Sequence, residues 1–70
     1  MATDALEAAR LRYTAAYAAY ARASKRVAKM LADRMAPSAE AISDEAKASE
    51  KLASARREYL NLVNGIDPPR

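Results

Sequence analysis

The sharpest chemical pattern in this chain is a set of four cations. Arg22, Lys25, Arg26 and Lys29 follow the spacing i, i+3, i+4, i+7, which sets them on one face of a helix. Such a face attracts phosphate backbones without reading their sequence, and it equally suits an acidic protein surface. The competing role is structural, in which the four side chains pair with carboxylates of a neighbouring helix or stay solvated. A second pattern is aromatic: Tyr13, Tyr17 and Tyr20 share one stripe, with Tyr59 expected nearby. Beside Arg10 and Arg12 these rings could stack on bases or anchor a protein partner. More often such a stripe is core, with hydroxyls reaching the rim. Glu40, Asp44 and Glu45 lie on adjacent turns. They read as a first helical turn favoured by the helix dipole, beside a basic neighbour, rather than as a site for a hard cation.

Catalytic chemistry is poorly provided for. The 70 residues include no His and no Cys. Ser-His and Cys-His nucleophile pairs are therefore excluded, and zinc or transition-metal sites lose their usual ligands. The single glycine, Gly65, suits a helix cap, so no glycine-rich loop is present to cradle phosphate. The reading is a chain that is not an enzyme and carries no cofactor and no metal.

Composition points to helix packing. Alanine fills 19 of 70 positions, and the larger apolar residues number 17, with no Phe and no Trp. A core built from so few large side chains is marginal at this length. Disulfides are unavailable, so association with another chain is the remaining source of stability. The net charge of +3 is uneven, with an excess of cations in residues 1–36 and a slight excess of acids in 37–70. Met1 to Glu7 has neither a basic n-region nor an apolar h-region. The longest apolar run, Ala15 to Ala21, is far too short to span a bilayer. Both features are expected of a cytoplasmic protein that does not enter membranes.

Two elements would position these residues. From Asp4 to about Met35 there is no Gly and no Pro, and helix formers dominate. Thr3 is the expected N-cap of this first helix, which would be about 48 Å long at 1.5 Å per residue. Leu6, Tyr13, Tyr20 and Val27 recur every seventh position, and so do Arg10, Tyr17, Ser24 and Leu31. Together they predict a helix-packing seam, widened on one side by Ala9, Ala16, Ala23 and Met30. Pro37 interrupts the helix, and Ser38 offers the next N-cap, with Pro37 as first helical residue or a start at Ser43 as alternatives. The second helix would run from about 38 to 64, with a buried stripe of Ile42, Ser49, Leu52, Tyr59, Leu60 and Val63. Ala46, Ala48, Ala53 and Ala55 flank that stripe. Asn64-Gly65 predicts the C-cap, with Ile66 as its apolar contact and 65–70 as a tail that Pro68 and Pro69 keep from continuing.

A turn at 36–38 folds the helices back on one another. It predicts Leu31 opposite Ile42, Val27 opposite Ala46, Tyr20 opposite Ala53, Tyr13 opposite Leu60 and Tyr59, and Tyr17 near Arg56. The basic end of helix 1 then lies beside the acidic start of helix 2. The expected fold is all-α, a single antiparallel two-helix hairpin over 1–70 that dimerises into a four-helix bundle. Leu6, Tyr13, Tyr17, Tyr20, Val27, Leu31, Ile42, Leu52, Tyr59 and Val63 would form the self-association seam. Arg22, Lys25, Arg26 and Lys29 would face a protein partner. The expected function is a protein-interaction module, a small regulator, adaptor or inhibitor; nucleic-acid binding through the same cations is the alternative.

Overall fold

The computed structural model describes residues 2–65. Helix α1 spans Ala2–Ala32 and helix α2 spans Ala39–Val63; the two pack against each other as an antiparallel hairpin. The hairpin measures 49 × 25 × 16 Å, as expected for two helices side by side. Among the described residues, no helix is long and apolar enough to cross a membrane.

Each helix end has a local cause. Thr3 lies inside α1 rather than capping it. At its other end α1 stops at Ala32, short of the Met35 boundary read from the sequence. There Arg34 turns into the left-handed region, with φ of 61°. Its N–H donates to the Leu31 carbonyl at 3.0 Å, and the Met35 N–H donates to the Met30 carbonyl at 2.9 Å. That pair of bonds is a Schellman motif, which satisfies carbonyls that a helix end would otherwise leave unpaired. The helix is thus closed before Pro37 acts, and the connection runs from 33 to 38 instead of 36 to 38.

Helix α2 begins as the sequence indicates. Ser38 holds an extended conformation, and its Oγ accepts from the Ala41 N–H at 3.1 Å. Neither Pro37 nor Ser43 is the first residue. At the C-terminus the Asn64 N–H donates to the Leu60 carbonyl at 2.9 Å, and Gly65 takes a φ of 86°. Glycine is suited here because a Cβ would clash in that region. The apolar contact expected of Ile66, the Pro68-Pro69 stop and the tail beyond Gly65 lie outside the described residues.

The seam between the helices has its own phase. The less exposed positions of α1 include Leu6, Ala9, Tyr13, Ala16, Tyr20, Ala23, Val27 and Met30, which alternate by three and four, with Ala8, Ala19 and Ser24 half-buried at the margins of this stripe. Those of α2 are Ala41, Glu45, Ala48, Leu52, Ala55, Tyr59 and Leu62, with the same alternation. Each helix offers one column of larger side chains and one column of mostly alanine, so large residues meet small ones at close approach. Tyr13 meets Tyr59 with ring centroids 5.6 Å apart and planes tilted by 43°. Tilted aromatic pairs at that separation are favourable.

This phase corrects part of the sequence-derived seam. Leu6, Tyr13, Tyr20, Val27, Leu52 and Tyr59 lie on it as expected. Tyr17, Leu31, Ile42 and Val63 do not; they are exposed, as are Arg10, Ser49 and Leu60. The alanine column at 9, 16 and 23 takes the place expected of 10, 17 and 24. Alanine lets two helix axes approach more closely than tyrosine or arginine would, and the larger side chains are rotated out of the seam. On α2 the same one-residue shift replaces 42, 49 and 63 with 41, 48 and 62. Full burial is confined to Ala9, Val27 and Ala41 among the described residues.

Candidate interaction surface

Two right-handed helices that run in opposite directions turn their following residues to the same side. A step of one residue rotates a side chain by about 100°. Positions one beyond each seam residue therefore share one face of the hairpin, and positions one before it share the other. The two faces differ sharply in chemistry.

The first face is polar. Helix α1 contributes Arg12, Arg22, Arg26 and Lys29, and α2 contributes Glu40, Asp44, Lys47, Lys51, Ser54 and Glu58. Among the described residues, every ion pair that joins the helices lies here. Arg12 grips Glu58 with two hydrogen bonds, Nε at 3.1 Å and Nη2 at 2.7 Å. Arg26 bridges Asp44 and Glu40, each at 3.5 Å. The Glu58 carboxylate raises the affinity of the Arg12 guanidinium for its proton, first through the hydrogen bonds and then through charge. Arg12, Ala15, Ala19, Lys51, Ser54 and Glu58 help line a shallow depression on this side.

The four cations singled out in the sequence are therefore split between roles. All four are exposed. Arg26 pairs with α2, as the apposition of basic and acidic helix ends implied. Lys29 lies 3.9 Å from Asp33, the first residue of the connection that follows its helix. Arg22 and Lys25 form no ion pair among the described residues. Near the open end Arg10 binds Glu7 with two hydrogen bonds, at 3.1 and 2.6 Å, which hold the Glu7 carboxyl below its ordinary range.

The second face is apolar. Helix α1 presents Thr14, Tyr17, Ala21, Ser24, Ala28 and Leu31, with the ion-paired Glu7 and Arg10 at its open end, and α2 presents Ile42, Ala46, Ser49, Ala53, Leu60 and Val63. Met35 follows at the turn. Tyr17 is 60% exposed and Leu31 59%. Of the large apolar side chains left exposed among the described residues, only Leu11 lies elsewhere, on the back of α1. Tyr20, Ile42, Glu45, Ala46 and Ser49 line a depression on this face, and Tyr13, Thr14, Tyr17 and Ala18 line another at its edge. Arg56 also lies on this side, but no cation–π contact with Tyr17 forms; the aromatic contact recorded is Tyr13 with Tyr59.

This face is hard to see in the sequence because Tyr17, Leu31, Ile42 and Val63 fit the spacing of the seam as well as that of an outer face. The signal was present all the same. Helix α2 carries two adjacent apolar columns, and a hairpin can bury only one of them against α1. Among the described residues, no group of three acidic side chains is gathered as a metal site would require. No protein-family model, curated protein or solved structure matches the chain.

Proposed function

We propose that this chain is a non-enzymatic protein-interaction module, a small cytoplasmic regulator, adaptor or inhibitor that works as a homodimeric four-helix bundle. The observation that carries this reading is the uncovered apolar face with Tyr17, Leu31, Ile42, Leu60 and Val63. Large apolar side chains left exposed together on one face mark interaction sites. Energetics point the same way. Ordering each residue costs roughly 1–2 kcal/mol of backbone entropy, and three buried residues are too few to offset that along two long helices. Closing the apolar face in a bundle supplies the missing core and leaves the polar face outward. Arg22, Lys25, Arg26 and Lys29 then meet the partner that the bundle regulates or bridges.

Sedimentation equilibrium at several chain concentrations tests the reading. The expected mass is twice that of the chain, and thermal unfolding should shift upward with concentration. Leu60→Asp should dissociate the bundle and lower its helicity. A fully helical monomer at the highest concentration would refute the proposal.

The alternative, nucleic-acid binding, is favoured by Arg22 and Lys25, which no carboxylate among the described residues neutralises. Its signature is binding to duplex or single-stranded nucleic acid that weakens steeply with salt and with Lys25→Ala plus Lys29→Ala. Salt-insensitive retention of a protein partner supports the interaction module instead.

A further inference from the structure

The apolar face is not uniformly apolar. Glu45 and Arg56 border it on α2, three turns apart, and neither has an ionic partner among the described residues. Glu45 is only half-exposed and lines the depression with Ile42 and Ser49. A half-buried carboxylate without a cation is costly, and so is closing Arg56 under a second surface without an anion. Both costs are reduced if each residue meets the other across a two-fold axis. The size pattern of the face has the same symmetry. Its middle is small, with Ala21 and Ser24 on α1 and Ala46, Ser49 and Ala53 on α2. Its ends are large, with Leu31, Met35 and Ile42 at the turn and Leu60 and Val63 of α2 at the open end, where α1 contributes the mutually paired Glu7 and Arg10.

We propose that a second copy of this chain covers the apolar face in an antiparallel two-fold register set by reciprocal Glu45–Arg56 pairs. This rests on the homodimer reading above and adds the surface, the orientation and the residues that select it. The axis passes near Ala21 on α1 and between Glu50 and Lys51 on α2. These lie at similar heights, because Tyr13–Tyr59 and Arg26–Asp44 fix the levels of the helices on either side. Each helix then runs antiparallel to its own copy. On α2, Ile42 packs over Leu60 of the second copy, Glu45 meets its Arg56, and Ser49 lies near its Ala53. On α1, Tyr17 covers Ser24 of the second copy, Thr14 covers its Ala28, and the two Ala21 residues approach each other. Large residues oppose small ones in the middle, and the apolar ends of α2 close over one another; on α1 Leu31 of one copy lies over Arg10 of the second, whose charge stays paired with its own Glu7.

The other two-fold arrangement, with its axis along the helices, lays each α1 over the α2 of the second copy. Glu45 would then meet Ser24 and Ala28, Arg56 would meet Thr14 and Tyr17, and neither would gain a counter-ion. The available area is sufficient. A face of 49 × 25 Å offers on the order of 1,000 Å² per copy, and a stable interface needs about 800 Å² per partner.

Charge exchange and cross-linking test the register. Glu45→Arg and Arg56→Glu alone should each weaken dimerisation about tenfold or more, and the double variant should recover most of that loss. Ala21→Cys, at an exposed position, should form a disulfide-linked dimer on mild oxidation while keeping its helicity. If the charge variants lose helicity, the cysteine variant decides alone. A wild-type dimer in which Ala21→Cys fails to link, or in which folded charge variants show no recovery, overturns this register and leaves the homodimer reading standing. A wild-type monomer overturns both.

Discussion

Arg34→Gly is expected to stabilise the protein, although it removes a long side chain and adds the least helix-favouring residue after proline. The position holds a φ of 61°, where a Cβ crowds the following carbonyl. That crowding costs roughly 1–2 kcal/mol for a residue other than glycine. The greater freedom of glycine in the unfolded chain takes back about 0.5–1 kcal/mol. The net gain is about 0.5–1 kcal/mol per chain. Little is lost with the side chain, because Arg34 is exposed and forms no ion pair among the described residues. For a chain of this size, 1 kcal/mol raises the melting temperature by about 4–8 °C. Circular dichroism at 222 nm during a thermal scan reads this directly, at one fixed chain concentration so that association does not confound the comparison. Arg34→Ala is the control: it keeps the Cβ, so its melting temperature should stay near that of the wild type. If Arg34→Gly melts at or below the wild type, or Arg34→Ala gains as much, then α1 does not close on a left-handed residue at this position.

Further outcomes follow from the same geometry. Ser38→Ala removes the oxygen that caps α2 and should lower stability by about 1 kcal/mol in urea unfolding, whereas Ser38→Asp should retain most of it. Val27→Ala removes two buried methyl groups and should cost about 2 kcal/mol, counting the cavity left behind. Leu31→Ala, on the apolar face, should act mainly through the concentration dependence of folding; a penalty that is large and independent of concentration would return Leu31 to the intramolecular seam. Glu7 titrates below its ordinary value of 4.5 in the folded chain because Arg10 hydrogen-bonds its carboxylate. A depressed carboxyl stabilises the fold above the unfolded pKa, and the contribution disappears as pH falls through the lower folded value. Glu7→Gln should therefore melt below the wild type at neutral pH and match it once the pH lies beneath both values. An NMR midpoint for Glu7 at or above 4.5 would count against the pair.

Much of the candidate surface was legible as composition but not as position. The cap at Ser38, the left-handed Gly65 and the pairing of Arg26 with acids of α2 all follow from residue types whose preferences act within a turn or between oppositely charged helix ends. The end of α1 was not legible in this way. Arginine has no preference for a left-handed C-cap, and Pro37 advertised a boundary that the Schellman bonds at Arg34 and Met35 pre-empt. The phase of the seam was harder still. Leu6, Tyr13, Tyr20 and Val27 belong to it on any reading, but the adjacent column could be Ala9, Ala16 and Ala23 or Arg10, Tyr17 and Ser24. Periodicity alone ranks these by hydrophobicity and is drawn to Tyr17 and Leu31.

By itself the sequence determined a helical hairpin, two long helices with an antiparallel return and the caps of the second, because propensity, caps and seven-residue spacing are local properties of one strand of chain. It also determined the absence of His and Cys, and with them the usual routes to nucleophilic catalysis. Only the tertiary structure decided which alanine column lies between the helices, since closest approach depends on both helices at once and a one-residue shift turns every side chain by about 100°. That shift moves Tyr17, Leu31, Ile42 and Val63 from the interior of the hairpin to one outer face. An alanine-rich helix has several columns able to face a neighbour, and packing selects the one that lets the axes come nearest.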